Sequence, residues 1–510
     1  MLLHYQVDTN TKQQTAYQYG DSRFWEMVPG LLVWGTLLFA LGLSVLRPLW
    51  AIVFVVVFDL YWLIRVLYFS VFLWVSYRRY REATATLWGE KLRSLPRAAA
   101  LHHLIFLPTV EEDVSILRKT LRALAASSFP AKRMIVVLAG EEKFQTEFRA
   151  RADHMQREFG SRFAAVLATV HPRGLPGEIP GKGSNLHWVG LQMEQWLREH
   201  LPTVADEDLI VSAFDVDTVV HPEYFSYLSW LYATASRPER SSYQPVALYG
   251  NNIWTAPAPV RVAAFGTSFW LMGEMSRPER LWTFSSHSMP WKMVRDIRFW
   301  QKDIVSEDSR IFLQGFIHYH GDFRVTPMYL PVSMDAVSGA SYTDSLRNLY
   351  KQLRRWAWGV EHLPVMVREF SRDRQMPFWK KIRSVFNHIE GMYTWATAPI
   401  LIFVLGWLPL QLADPSEVLV QVSPTTLAIV MRAATAGILL TGVLAFRLLP
   451  PRPGTVPRRT WLFMGLQWLM LPVTFVVFGS LPAIDAQTRL MIGRYLGFNV
   501  TEKKALGARR

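Results

Sequence analysis

Cysteine is absent from all 510 residues, which excludes disulfide staples and thiolate chemistry. Internal repeats and low-complexity tracts are also missing, so the chain is neither a solenoid nor a disordered array. Between about Arg78 and Met376 no long uncharged apolar run occurs, so the centre of the chain does not cross a membrane. The formal charge is +14, yet no basic face interleaved with aromatic residues is present, and nucleic acid is not an expected partner.

The apolar residues, 50% of the chain, are concentrated toward its two ends. Val28–Leu46 carries no charge, and Leu49–Tyr77 carries only Asp59 and Arg65. Tyr393–Ala413, Thr425–Ala445 and Trp461–Leu481 follow later. Each approaches the roughly 20 apolar residues that a spanning helix requires. Arg47-Pro48 joins the first two runs directly, which predicts a tight helical hairpin rather than a cleaved signal. Basic residues flank the runs: Arg78, Arg79 and Arg81; Lys380, Lys381 and Arg383; Arg447, Arg452, Arg458 and Arg459. Such asymmetry predicts a cytoplasmic location for these places and for the middle of the chain.

The middle alternates short apolar runs with helical spacing. Leu101–Pro108, Met134–Leu138, Phe163–Val170 and Leu209–Phe214 read as strands, and Glu111–Ala126 and Asn185–Leu197 as helices. This alternation predicts a largely parallel sheet, and such sheets bind ligands beyond the carboxyl ends of their strands. Thr109, Glu111, Glu141 and Asp215 fall at those ends.

Four signatures carry chemistry. Asp215-Val216-Asp217 places two carboxylates on a turn, where they can hold Mg²⁺ or Mn²⁺ bridged to a diphosphate; a solvated turn is the plainer alternative. Glu307-Asp308 opens a helical stretch and offers either a general base or a helix-capping pair. Gln352, Arg355 and Trp356 share one helical face at spacing i, i+3, i+4, combining a planar phosphate fork with a flat apolar ring. Lys182 sits in a Gly/Pro-rich loop where backbone and ammonium can approach phosphates. His318 and His320 read as structural histidines alternating on a strand, since no third ligand is visible.

In this order the four signatures resemble the membrane-embedded family 2 glycosyltransferases, the group of cellulose, hyaluronan and chitin synthases. The resemblance runs from about Arg97 to the C-terminal tail. It implies an α/β GT-A fold, a Rossmann-like mixed sheet, flanked by N- and C-terminal transmembrane helices. It implies that Asp215 contacts the nucleotide and Asp217 the metal. It implies that Asp308 is the base, with Glu307 beside it, and that Thr109, Glu111, Glu141 and Lys182 help to hold the nucleotide sugar. Gln352, Arg355 and Trp356 match the family's Gln-x-x-Arg-Trp acceptor motif, and Lys182 with Asn185 its Lys-x-x-Asn segment. Ser288 is the matching residue of Ser285–Ser288, which stands where polymer-making relatives carry Phe-Cys-Gly-Ser. Ser306 replaces the family's Thr before Glu307-Asp308. Glu141 stands where relatives have an Asp that reads uracil, so a UDP-sugar is expected with a GDP-sugar left open.

The expected organisation is an N-terminal segment (1–27), a two-helix hairpin (28–77), a cytoplasmic GT-A domain (78–375) and an amphipathic interfacial helix (376–390). A C-terminal membrane region (391–483), its last segment broken or re-entrant, and a basic cytoplasmic tail (484–510) complete it. The expected activity is inverting transfer from a nucleotide sugar to a growing β-linked polysaccharide, in the inner or plasma membrane, coupled to translocation and open to accessory export proteins. Two alternatives stand beside it: single addition to a lipid or lipid-linked acceptor, and a silent scaffold of a synthase.

Overall fold

The computed structural model describes residues 2–7 and 18–497. Its centre is a nine-stranded mixed sheet in the order β1-β4-β3-β2-β5-β8-β7-β9-β6. The strands are β1 (Leu2–Leu3), β2 (His102–Pro108), β3 (Met134–Glu141), β4 (Ala165–His171), β5 (Leu209–Ala213), β6 (Val219–Val220), β7 (Ser241–Leu248), β8 (His287–Pro290) and β9 (Arg324–Ser333). The first five in spatial order are parallel. β8 then runs antiparallel to both β5 and β7. Ile105, Val136, Val137 and Val211 are wholly buried, as expected of parallel strands covered on both faces by crossover helices. The expected strands are therefore present. The edge strand β1 is an addition: the N-terminal segment joins the sheet beside β4, and Tyr5 exchanges two backbone hydrogen bonds with the Gln192 side chain, at 2.8 and 2.9 Å.

Arg23–Leu46 and Pro48–Thr84 form the hairpin. Pro48 opens the second helix, where its missing N–H costs nothing, and it cannot continue the first. The second helix, 37 residues long, runs past any bilayer and packs beside Ala258–Met275 of the central domain. Among the described residues three helices are long and apolar enough to cross a membrane, these two and Thr460–Met491; a fourth span exists if Phe378–Phe403 and Leu405–Leu412, bent by 44°, count as one. Leu38, Val57 and Leu469 are 60%, 62% and 79% exposed, an apolar surface that only lipid or a partner would cover. The chain is thus built for membrane association. Arg65 does not face lipid: it pairs with Glu390, which also takes Arg280 at 2.9 Å.

Several expectations need correction. No separate interfacial helix ends at 390: Phe378–Phe403 is continuous through Gly391 at the proposed boundary. His388, within that segment, is buried against Trp282, with ring centroids 5.4 Å apart. His318 and His320 do not alternate on a strand. His318 ends the helix Glu307–His318, and His320 occupies the following turn at φ 53°, 3.0 Å from Asp373. The region 484–510 does not begin as a tail, since Leu481–Met491 is helical across its start. The remaining tail signals, including Thr501-Glu502-Lys503, lie outside the described residues.

Candidate active site

The helix Lys182–His200 begins one residue after Gly181, so Lys182 stands at a helix N-terminus, not in a loop. Its ammonium is the centre of the site. It lies 2.9 Å from Asp215 Oδ1, 2.8 and 3.1 Å from the two Asp308 oxygens, and 3.9 Å from Glu307 Oε1. Burial opposes the Lys182 charge, but Asp215, Asp308 and Glu307 outweigh it and hold its pKa well above the usual lysine value. Gly183 permits this approach. A Cβ there would meet Gln301 O at 2.9 Å and Glu307 Cβ at 3.1 Å.

The Asp215 turn is braced on several sides. Ser285 Oγ donates to Asp215 Oδ2 at 2.5 Å, Ser286 Oγ meets Thr218 Oγ1 at 2.8 Å, and Thr120 Oγ1 donates to Val216 O at 2.6 Å. Ser286 adopts φ 64°, a strained value for a serine, which fits a segment folded tightly against the turn. Asp217 is buried, and its Oδ2 accepts from Asp335 N at 3.0 Å.

Glu307 and Asp308 open their helix after Ser306. Burial first, then the Asp308 charge, push the Glu307 carboxyl up, against the pull of Lys182 and Arg355. The neutral acid is thereby favoured at Glu307. Asp308 is the more open of the two, its side chain 23% exposed against 6% for Glu307. His287 lies 3.9 Å from Asp308, and burial pushes its pKa down; its Nδ1 is 2.8 Å from Phe284 O. Tyr249 lies close enough to feel the charges of Asp215, Asp217 and Asp308, and its ring centroid is 6.0 Å from that of Trp356.

The helix Tyr342–Ala357 presents Gln352, Arg355 and Trp356 half-buried, while Arg354 turns away to Asp485 of Leu481–Met491 at 2.8 Å. Lys182, Asp215, Glu307 and Asp308 therefore converge, with Arg355 near enough to act on Glu307 and Trp356 beside Tyr249.

Other expected residues take different places. Thr109 is buried at the end of β2, where its N–H donates to Ala139 O at 2.8 Å. Glu111 is exposed. Glu141 is already engaged: Asn185 Nδ2 donates to Oε1 at 2.9 Å and His171 Nδ1 lies 3.0 Å from Oε2. Burial opposes a charge on His171, but Glu141 and Glu178 outweigh it and raise its pKa to about 9. Ser288 is wholly buried in the sheet, bonded to Ser212 at 2.7 Å and Tyr224 at 3.0 Å, so the geometry does not bring it into the cleft. Sequence reasoning missed Tyr249, His171, Glu178 and the bracing role of Ser285. Only Ser285 carried a signal, its neighbourhood to the matched Ser288.

Among the described residues no group of three or more His, Asp or Glu forms a ready-made metal cage. The donor set still fits a hard divalent cation. Asp215 and Asp217 offer carboxylate oxygens from one turn, and Mg²⁺ is commonly held by one or two carboxylates with substrate phosphates completing its shell.

A mixed α/β sheet thus carries a lysine ringed by three carboxylates, and long apolar helices suit the chain to a membrane. The chain belongs to the glycosyl transferase family group 2, whose model matches residues 210–481 and so spans both the Asp215 turn and the C-terminal membrane helices. It is a family 2 glycosyltransferase built on a mixed α/β sheet. Similar solved structures include the mannosyltransferase PcManGT from Pyrobaculum calidifontis in complex with GDP-Man and Mn²⁺. That pair is 14% identical with a TM-score of 0.37, covering 80% of this chain and 99% of that one. Another is TarS residues 1–349 from S. aureus in complex with UDP-GlcNAc, 10% identical with a TM-score of 0.36, covering 78% and 94%. No curated protein matches the chain.

Proposed function

We propose that this glycosyltransferase inverts the anomeric centre and extends a β-linked polysaccharide, taking its sugar from a UDP- or GDP-sugar on the cytoplasmic side. The observation that carries the reading is the buried ammonium of Lys182 among Asp215, Glu307 and Asp308, next to the Arg355 and Trp356 helix. Asp308 takes the proton from the acceptor hydroxyl as that oxygen bonds to the anomeric carbon. The bond from that carbon to the diphosphate breaks, and Lys182 and Arg355 receive the charge that leaves. Lys182 is paired to Asp308, and a donor diphosphate would compete for that ammonium and free the base. Asp215 and Asp217 would hold Mg²⁺ or Mn²⁺, which supplies charge neutralisation of the leaving diphosphate. The Trp356 and Tyr249 rings offer a flat wall for a sugar of the acceptor.

A lipid or lipid-linked acceptor is the second reading. It is favoured by the burial of Ser288, the one residue that matches the polymer-makers' acceptor segment, in the sheet.

The test is nucleotide release and product length with a panel of UDP- and GDP-sugars and Mn²⁺, using the full chain in lipid beside Asp308→Asn. Long products that vanish in the variant are expected. Release unaffected by Asp308→Asn would sink the assignment of the base, and single-sugar products would replace the polymer reading with the lipid one.

A further inference from the structure

Glu361 is a carboxylate with 1% exposure, placed one turn beyond Trp356. A buried charge needs donors, and it has four. On one oxygen it accepts from Ser306 N at 3.3 Å and from Ser306 Oγ. On the other it accepts from Trp358 Nε1 at 3.0 Å and from Tyr19 OH. Ser306 is the residue immediately before Glu307-Asp308. On the far side of that pair, Ser309 Oγ and Arg310 Nε both reach His362, at 2.8 and 3.1 Å. The two catalytic carboxylates are therefore gripped before and after by Glu361-His362.

The other end of the grip lies among the membrane helices. Tyr19 precedes Arg23–Leu46 and stacks on Tyr495, which follows Leu481–Met491, with centroids 4.2 Å apart. Tyr495 OH donates to the buried Glu26 at 2.9 Å, and Arg23 reaches Met491 O at 2.7 Å. Val305, Trp358 and Val360 pack in one apolar cluster with Val33, Leu37, Ala483 and Leu490 of the first and last helices, apart from the main core.

We propose that Glu361 is a positioning residue for Glu307 and Asp308, and that through Tyr19 it ties their placement to the packing of the first and last membrane helices. The inference rests on the reading of Asp308 as the base. A carboxylate is required because Glu361 faces donors on both oxygens; a glutamine amide must turn its NH₂ toward one donor set and break it. A displacement of about 1 Å at a reacting group can cost on the order of 100-fold in rate while leaving substrate binding intact.

The experiment uses the full chain in lipid nanodiscs with Mn²⁺ and UDP-glucose, UDP-N-acetylglucosamine or GDP-mannose, following nucleotide release and amide hydrogen exchange. Glu361→Gln is expected to lower kcat at least about 10-fold with donor KM changed less than about threefold, and to speed exchange over residues 304–309 while β3 is unchanged. Tyr19→Phe, which removes one hydroxyl and threatens the fold least, is expected to show the same pattern at smaller size. Wild-type kcat and wild-type exchange in both variants would overturn the proposal, as would a loss of kcat matched by an equal loss of donor affinity. Asp308→Asn in the same series separates the two claims. Full activity there removes the site reading and this inference together, whereas an inactive Asp308→Asn beside a fully active Glu361→Gln removes the positioning role alone.

Discussion

Replacing Lys182 by Met removes a cation that lies within 4 Å of Asp215, Glu307 and Asp308 together. The shape is nearly kept, so the change is electrostatic. Breaking a buried ion pair by removing one partner costs roughly 3–5 kcal/mol. The lower end applies, because Asp215 and Asp308 keep 30% and 23% exposure and water screens part of the repulsion. For a domain of about 300 residues, about 3 kcal/mol lowers Tm by roughly 5 °C. The pH dependence has a defined sign. Glu307 has a folded pKa raised above its unfolded value, and Lys182 is one of the charges restraining that rise. A carboxyl with a raised folded pKa carries no penalty while both states are protonated, and its penalty grows as pH climbs toward the folded value. Without Lys182 the folded value rises further; both proteins carry the same Glu307 penalty until pH passes the wild-type folded value of about 8, above which only the variant's penalty keeps growing, so its deficit should be larger near about pH 9 than near about pH 7. The assay is thermal unfolding of both proteins in detergent with chelator and without nucleotide. A deficit under about 1 °C at about pH 7, or one no larger at about pH 9, would refute the argument that Lys182 stabilises the site by charge.

Gly183→Ala should strain the contact with Gln301 O and Glu307 Cβ; a cost of about 1–3 kcal/mol is expected, with turnover falling more than donor affinity, measured by unfolding and steady-state kinetics. Asp217→Asn should raise the Mn²⁺ concentration for half-maximal nucleotide release by at least about 10-fold, and an unchanged metal dependence would remove Asp217 from the metal site.

The residues of the candidate site were legible in the linear chain because its parts are local. Asp215-Val216-Asp217, Glu307-Asp308 and Gln352 to Trp356 each hold their chemistry within five residues, and the strand before Asp215 reads as buried from its unbroken apolar run. The apolar helices were legible for the same reason, since spanning a bilayer is a property of one continuous segment. What escaped was set by partners far apart in sequence. Nothing near Glu141 announces that Asn185 and His171 occupy its carboxylate. Nothing near Ser288 announces that Ser212 and Tyr224 turn it into the sheet.

The sequence by itself determined the elements and the reagents: which segments are apolar enough for lipid, which alternate into a covered sheet, and which carboxylates, lysine and arginine are available. Tertiary structure alone decided their arrangement. It drew Lys182 126 residues across the chain onto Asp308, and Tyr19 342 residues onto Glu361. The physical reason is that periodicity encodes how a segment buries its own surface, whereas a buried charge is stabilised by whichever donors the completed packing brings to it.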